Sequence, residues 1–253
     1  MKDKIGIGIV TTGREGMFVN CSEHLTQVDY TVAIHNGTPY ESYLPNHIEL
    51  KTYPEVMNVA INKNRALRAM IQNGCTHLFL IEDDISINAA DVCERYIEAA
   101  SESGIWHLNY GSGDAINTME YTDTVSIDLL PDLSSSFTYY HRNIIKHVGY
   151  FDERFRSGLS GPEHTYRVAK KRLCPSYGVF ANCKSENTIV EQDYDKDHSI
   201  ITYQSESGIS TIQNDTYLFV MKHGETLIDI VPPDQKQLEE ELEMLKENYS
   251  RPV

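Results

Sequence analysis

The run His77-Leu78-Phe79-Leu80-Ile81 is short and almost wholly apolar, and it ends abruptly in three acids, Glu82-Asp83-Asp84. A run of this length and character reads as a strand buried on both faces, the kind found in parallel sheets covered by helices. The flanking sequence agrees. Residues 5–10 and 30–35 read as further strands, each closed by a turn, at 11–14 and 36–39, and residues 47–52 alternate enough for another. Residues 58–73 carry helical spacing, with Val59, Ala66, Leu67, Met70 and Ile71 on one face and Gly74 as the stop. A second helix is expected from about Asn88, with Ala89, Val92, Cys93, Tyr96, Ile97 and Ala100 inward and Gly104 at its end. Strands alternating with helices predict an α/β fold with a mostly parallel central sheet and right-handed crossovers. Ligands bind such sheets beyond the carboxyl ends of the strands. The turns at 11–14, 36–39 and 82–84 should therefore share one rim.

The second half is less regular. Short strands and Gly/Ser-rich turns are expected over 105–140, a helix over 162–173 with Pro162 at its first position, and a polar loop over 185–215. Residues 217–231 read as a hairpin around His223-Gly224. The tail, about 234–249, reads as an acidic amphipathic helix with Leu238, Leu242 and Leu245 in a stripe, which packs on the domain or on a second copy in a homodimer.

The 253 residues suffice for one large domain with a small appendage, and the formal net charge of −15 repels polyanions and disfavours nucleic-acid binding. No run approaches the roughly 18 apolar residues of a membrane span, and residues 5–10 are too short an apolar stretch for a signal peptide. Five scattered cysteines, with no C-x-x-C pair, fit free thiols in a reducing cytoplasm. Gly6 and Gly8 lie inside the first strand, not after it, so no dinucleotide fingerprint is read, and there is no Walker A motif.

Three adjacent carboxylates at a strand end repel one another unless a cation or a hydrogen-bond network neutralises them. Hard oxygen donors suit Mg2+ or Mn2+, with phosphate oxygens completing the shell. A solvated acidic turn is the bland alternative. Arg167, Lys170, Lys171 and Arg172 cluster near a helix end, where they complement its dipole or bind an acceptor phosphate. Trp106, Tyr139 and Tyr140 read as core in preference to sugar-stacking platforms.

Gly149-Tyr150-Phe151-Asp152-Glu153-Arg154-Phe155, followed by Gly161-Pro162-Glu163-His164 and Arg167, resembles the G-G-F-D-E-x-F … E-D … R segment of family 2-like glycosyltransferases with the GT-A fold. Asn62-Lys63-Asn64-Arg65-Ala66-Leu67, Gly74 and the run into Glu82-Asp83-Asp84 resemble that family's A-R-N-x-A … A-x-G … D-D-D stretch. The segments around Thr11-Thr12-Gly13-Arg14 and Asn36-Gly37-Thr38 look like its first two strand-turn elements. The resemblance covers roughly residues 5–200 and rests on order and spacing. It implies a GT-A domain over 1–215, with a nucleotide-binding half to about 104 and an acceptor half beyond, and an extension over 216–253. It implies Mn2+ or Mg2+ held by Asp84 and Asp83, with His198 as a further ligand. Thr11, Arg14, Asn36, Lys63, Glu82 and Asp83 are expected at the nucleotide-sugar, and Glu163 or His164 as the base that activates the acceptor, His164 standing where the family often has aspartate. Transfer from a nucleotide-diphosphate sugar to a hydroxyl, with inversion, is the implied reaction.

Two other classes stand beside it. A sugar nucleotidyltransferase is disfavoured because Thr11-Thr12-Gly13-Arg14-Glu15 lacks the Gly-rich signature of those enzymes. A non-catalytic nucleotide- or carbohydrate-binding module is disfavoured by the near-complete motifs. The acceptor is open in this reading, and includes a hydroxymethylated base of viral DNA.

Overall fold

The computed structural model describes residues 3–25, 27–40, 44–55, 57–111, 113–184, 189–191 and 206–248. The first half alternates as expected: β1 (Ile5–Thr12), α1 (Glu15–Glu23), β2 (Tyr30–Asn36), β3 (Ile48–Tyr53), α2 (Val59–Gln72), β4 (His77–Glu82), β5 (Ile85–Ile87) and α3 (Val92–Ser103). The second half holds β6 (His107–Asn109), β7 (Asn117–Glu120), β8 (Ser126–Leu130), β9 (Phe137–His141), α4 (Asn143–His147), α5 (Ser160–Lys170), β10 (Phe180–Cys183), β11 (Ile189–Glu191), α6 (Glu206–His223) and α7 (Gln235–Lys246).

The central sheet has the order β3-β2-β1-β4-β9-β6. Its first four strands are parallel, and β9 runs antiparallel to both β4 and β6. The apolar runs of β1, β2 and β4 are buried because α2 covers one face of the sheet while other elements cover the opposite face. α2 lies close on β1: a Cβ at Gly8 would stand 2.7 Å from that of Ala66, so the glycine is what allows the approach. α2 opens on Asn58, whose side chain accepts from the Ile61 N–H at 2.9 Å. Trp106, Tyr139 and Tyr140 are core residues, and all five cysteines are buried free thiols.

Several expectations are corrected. α3 begins at Val92, not near Asn88, because residues 85–87 form β5 against β11, a strand distant in sequence. Pro162 is the third residue of α5, which starts at Ser160. The hairpin expected over 217–231 does not form: α6 runs unbroken from Glu206 to His223, across the boundary expected at residue 215. The leucine stripe of α7 is present, and Leu238, Leu242 and Leu245 are buried against the chain's own α3 side. Of the two packings open to the stripe, the one on the domain itself is observed. α7 starts in a capping box made by Asp234 and Gln237. Its far end presses on Gly104, where a Cβ would lie 1.8 Å from the Leu245 carbonyl oxygen and φ is +74°.

α6 belongs to a second, smaller core of Phe155, Tyr166 and Phe219. Among the described residues no helix is long and apolar enough to cross a membrane.

Candidate functional site

The parallel register sets β1, β2 and β4 level, pairing Thr11 with His35, Thr12 with Asn36, and Val10 with Glu82. The three turns accordingly meet at one rim, as the alternation predicts. Asp83 is fully buried there. Thr11 Oγ1 donates to Asp83 Oδ2 at 2.6 Å, and the Arg14 guanidinium pairs with Asp83 Oδ1 and, at 3.4 Å, with Asp84 Oδ2. Burial nonetheless pushes the Asp83 carboxyl up to about 7, against the pull of Arg14 and Thr11 and with help from the charges of Asp84 and Glu82. Glu82 has its own cation: Lys63 Nζ, on a side chain 2% exposed, lies 2.8 Å from Glu82 Oε1 and donates to the Ser135 carbonyl at 3.2 Å. Glu82 is thus paired with Lys63, while Asp83 and Asp84 share the guanidinium of Arg14.

The end of β2 supplies the adjoining surface. Asn36 is buried; its Oδ1 accepts from Arg65 Nη1 at 3.3 Å, while its Nδ2 has no hydrogen-bond partner among the described residues. The Arg65 guanidinium sits 3.6 Å from the centre of the Tyr53 ring, which extends a flat polar surface to the end of β3. Tyr40 closes the other side. Its ring packs on His35 at 4.0 Å, and its hydroxyl bonds Thr11 Oγ1 at 2.7 Å and accepts from the Arg14 N–H at 3.1 Å. Sequence reasoning misses Tyr40, Tyr53 and the placement of Arg65. A tyrosine directly after a Gly-Thr-Pro turn is the available signal for Tyr40, and nothing local marks the other two.

The downstream segment is tied to the same rim through α2. Asn64 Nδ2 donates to the Phe151 carbonyl, and the Phe151 N–H donates to Asn64 Oδ1, both at 2.9 Å. At the start of α5, a Cβ on Gly161 would meet Ser135 at 2.8 Å, so this helix end abuts the residue that holds Lys63. The two acceptor-activating candidates lie inward of it. Glu163 is fully buried and accepts from Arg167 Nε at 2.9 Å, Lys222 Nζ at 2.8 Å and His223 Nε2 at 3.1 Å. His164 is fully buried as well, stacked on Phe151 at 4.4 Å, with Nε2 donating to the Gly149 carbonyl at 2.9 Å. Burial, aided by the nearby Arg167, pushes its pKa far below the ordinary imidazole value, so the ring is neutral. Both side chains are 0% exposed among the described residues. Sequence reasoning also misses Lys222 and His223, because their segment reads as a hairpin.

Arg167 donates to Glu163 and to the Val148 and Tyr150 carbonyls, and Lys170 pairs with Glu225. His198 lies outside the described residues. Among the described residues no three His, Cys, Asp or Glu side chains converge as a ready metal cage. The donor set nevertheless fits Mg2+ or Mn2+, ions commonly held by one or two carboxylates with substrate phosphates supplying the rest. Asp83 and Asp84 provide that pair of hard oxygen donors at a buried strand end.

The sheet order and the rim define the class of fold as GT-A, the nucleotide-sugar transferase fold. The solved structures it resembles are of that kind. Residues 1–349 of TarS from S. aureus superpose with a TM-score of 0.55 at 11% identity, covering 98% of this chain and 70% of that one. The same protein in complex with UDP-GlcNAc gives a TM-score of 0.58, at 11% identity, over 98% of this chain and 71% of that one. The mannosyltransferase PcManGT from Pyrobaculum calidifontis, in complex with GDP-Man and Mn2+, gives 0.57 at 10% identity, over 98% and 70%. Against the longer TarS chain the match spans 43% of that chain. No protein-family profile and no curated protein matches the chain by sequence.

Proposed function

We propose that the chain is a metal-dependent glycosyltransferase that moves a sugar from a nucleotide-diphosphate donor to an acceptor hydroxyl. One observation carries the reading: within a GT-A fold, an acidic triplet at the end of the central strand is brought together with Thr11, Arg14, Asn36 and Lys63 at one rim. Likeness to structures holding UDP-GlcNAc, or GDP-Man with Mn2+, supports it.

Asp84 and Asp83 would hold the divalent ion, which neutralises charge on the diphosphate leaving group. The chain's own residues do the rest. Asn36 offers a buried N–H, without a partner among the described residues, to an acceptor atom of the base, beside the Arg65-Tyr53 surface. Lys63, fixed by Glu82 and Ser135, keeps a positive charge under the diphosphate. We assign Glu163 and His164 to holding α5 in place: Glu163 ties it to α6, and His164 ties it to the Gly149 turn. Inversion at the sugar carbon is retained as part of the proposal, to be read from the anomer of the product.

The test is turnover of a panel of UDP- and GDP-sugars with Mn2+ and with chelator. Asp84→Ala should abolish metal-dependent nucleotide binding, measured by calorimetry, with an unchanged circular dichroism spectrum, because the Asp84 side chain is partly exposed at the end of the strand. Nucleotide affinity equal to the parent's, with or without Mn2+, would overturn the assignment. A non-catalytic module would bind nucleotide and never turn over.

A further inference from the structure

The two cations at the acidic rim are not equivalent. Lys63 belongs to α2, is almost wholly buried, and has its ammonium fixed by Glu82 and a backbone carbonyl. Arg14 stands on a turn, directly after Gly13 at φ +66° and before the first residue of α1, with its side chain 16% exposed. Its guanidinium covers Asp83 Oδ1 and Asp84 Oδ2, while Asp83 Oδ2 is taken by Thr11. A divalent ion that takes Asp83 Oδ1 and Asp84 Oδ2 competes with Arg14 for those oxygens. A guanidinium displaced from a carboxylate pair has the planar fork that matches phosphate oxygens.

The displacement has a direction because a divalent ion brings twice the charge of the guanidinium to the same carboxylates and draws the diphosphate to the rim. We propose that Arg14 is an exchangeable counter-ion: it holds Asp83 and Asp84 in the metal-free site, and the divalent cation displaces it onto the donor's diphosphate. The inference rests on the metal reading above and assigns an order of binding, cation before nucleotide.

The test measures binding, not turnover. Mn2+ alone is titrated into the full chain and into Arg14→Met, followed by electron paramagnetic resonance. UDP and GDP are then titrated at saturating Mn2+. Removing the competitor should tighten Mn2+ binding about fivefold or more, and removing the diphosphate ligand should weaken nucleotide binding about tenfold, in the range of typical coupling free energies between two ligands. The melting temperature of Arg14→Met should fall without metal and recover with Mn2+. Should that variant fail to fold, the parent protein answers alone: the Arg14 Nε–H resonance should shift on adding Mg2+, before any nucleotide. Mn2+ binding to Arg14→Met that is no tighter than the parent's, or an Arg14 resonance indifferent to Mg2+, would overturn the exchange while leaving the metal site standing. Absence of Mn2+ binding to either protein, with UDP or GDP present, would overturn the metal reading and the exchange together.

Discussion

Asp215 is the residue through which α6 grips the segment leading into α5, and its removal gives a clean test of that junction. The carboxylate is 3% exposed. Its Oδ2 accepts from the Arg156 N–H at 2.9 Å, the Ser157 N–H at 2.6 Å and Ser157 Oγ at 2.6 Å. In Asp215→Ala two backbone donors lose their acceptor in a place where water enters poorly. Each stranded donor costs about 1–3 kcal/mol, and the Ser157 hydroxyl can rotate elsewhere, so the total should be about 3–4 kcal/mol. Asp215→Asn keeps one acceptor oxygen but loses the charge and turns an N–H2 toward other donors; about 2 kcal/mol is expected. Ser157→Ala removes one hydroxyl, which donates to Asp215 and accepts from the Leu159 N–H at 3.2 Å, and should cost about 1 kcal/mol. Urea denaturation followed by circular dichroism measures all three, as midpoint shifts at constant slope. The reasoning requires that Asp215→Ala lose the most stability, Asp215→Asn less and Ser157→Ala the least. A loss under about 1 kcal/mol for Asp215→Ala would show that the junction is not held by this carboxylate.

Two further outcomes are expected. His107 is fully buried between a carbonyl and Thr165 Oγ1, each 2.9 Å away, and burial pushes its pKa down to about 4. The unfolded chain takes up a proton near 6.5 that the folded one refuses, so stability is complete above that pH and falls as pH drops toward 4, by about 1.4 kcal/mol per pH unit. Subtracting the urea-derived stability of His107→Asn from the parent's at each pH should show this slope; a flat difference across that window would refute it. Leu242→Ala should cost about 2–4 kcal/mol, as a large-to-small change in a core, and leave the size-exclusion profile unchanged. A change in oligomeric state would show instead that the α7 stripe contacts a second copy.

The first half of the fold is legible because its strands are buried on both faces and its helices carry regular apolar stripes. The residues of β4 need no partner to be identified, and the stripe of α2 follows a simple period. α6 is illegible for a physical reason. Its inward side mixes Asp215 with Leu218 and Phe219, and Lys222 and His223 reach from it to Glu163, so polar and apolar residues share the packed face. Tyr217 and Met221, each 66% exposed, point outward. The apolar periodicity therefore runs against the true face, and the aromatic and β-branched run looks like strand. β5 is hidden for another reason: its partner, β11, is far away in sequence, and three residues carry no period of their own.

The site shows the same division between what one segment can reveal and what only packing can. Glu82-Asp83-Asp84 is conspicuous because clustered like charges are costly wherever they occur. What neutralises them cannot be read locally, since Lys63 comes from α2 and Arg14 from the turn after β1. Glu163 reverses the case. Its motif position implies reactivity, but a carboxylate held by Arg167, Lys222 and His223 is occupied as an acceptor, whatever its neighbours in sequence. The two acidic sites therefore differ in surroundings. Glu163 at α5 accepts from three side chains of its own fold. The acids of the rim lie on the side where the strands end and a ligand can approach, with Asp83 and Asp84 sharing the single guanidinium of Arg14. The proposed cation rests on that position as much as on the number of acids.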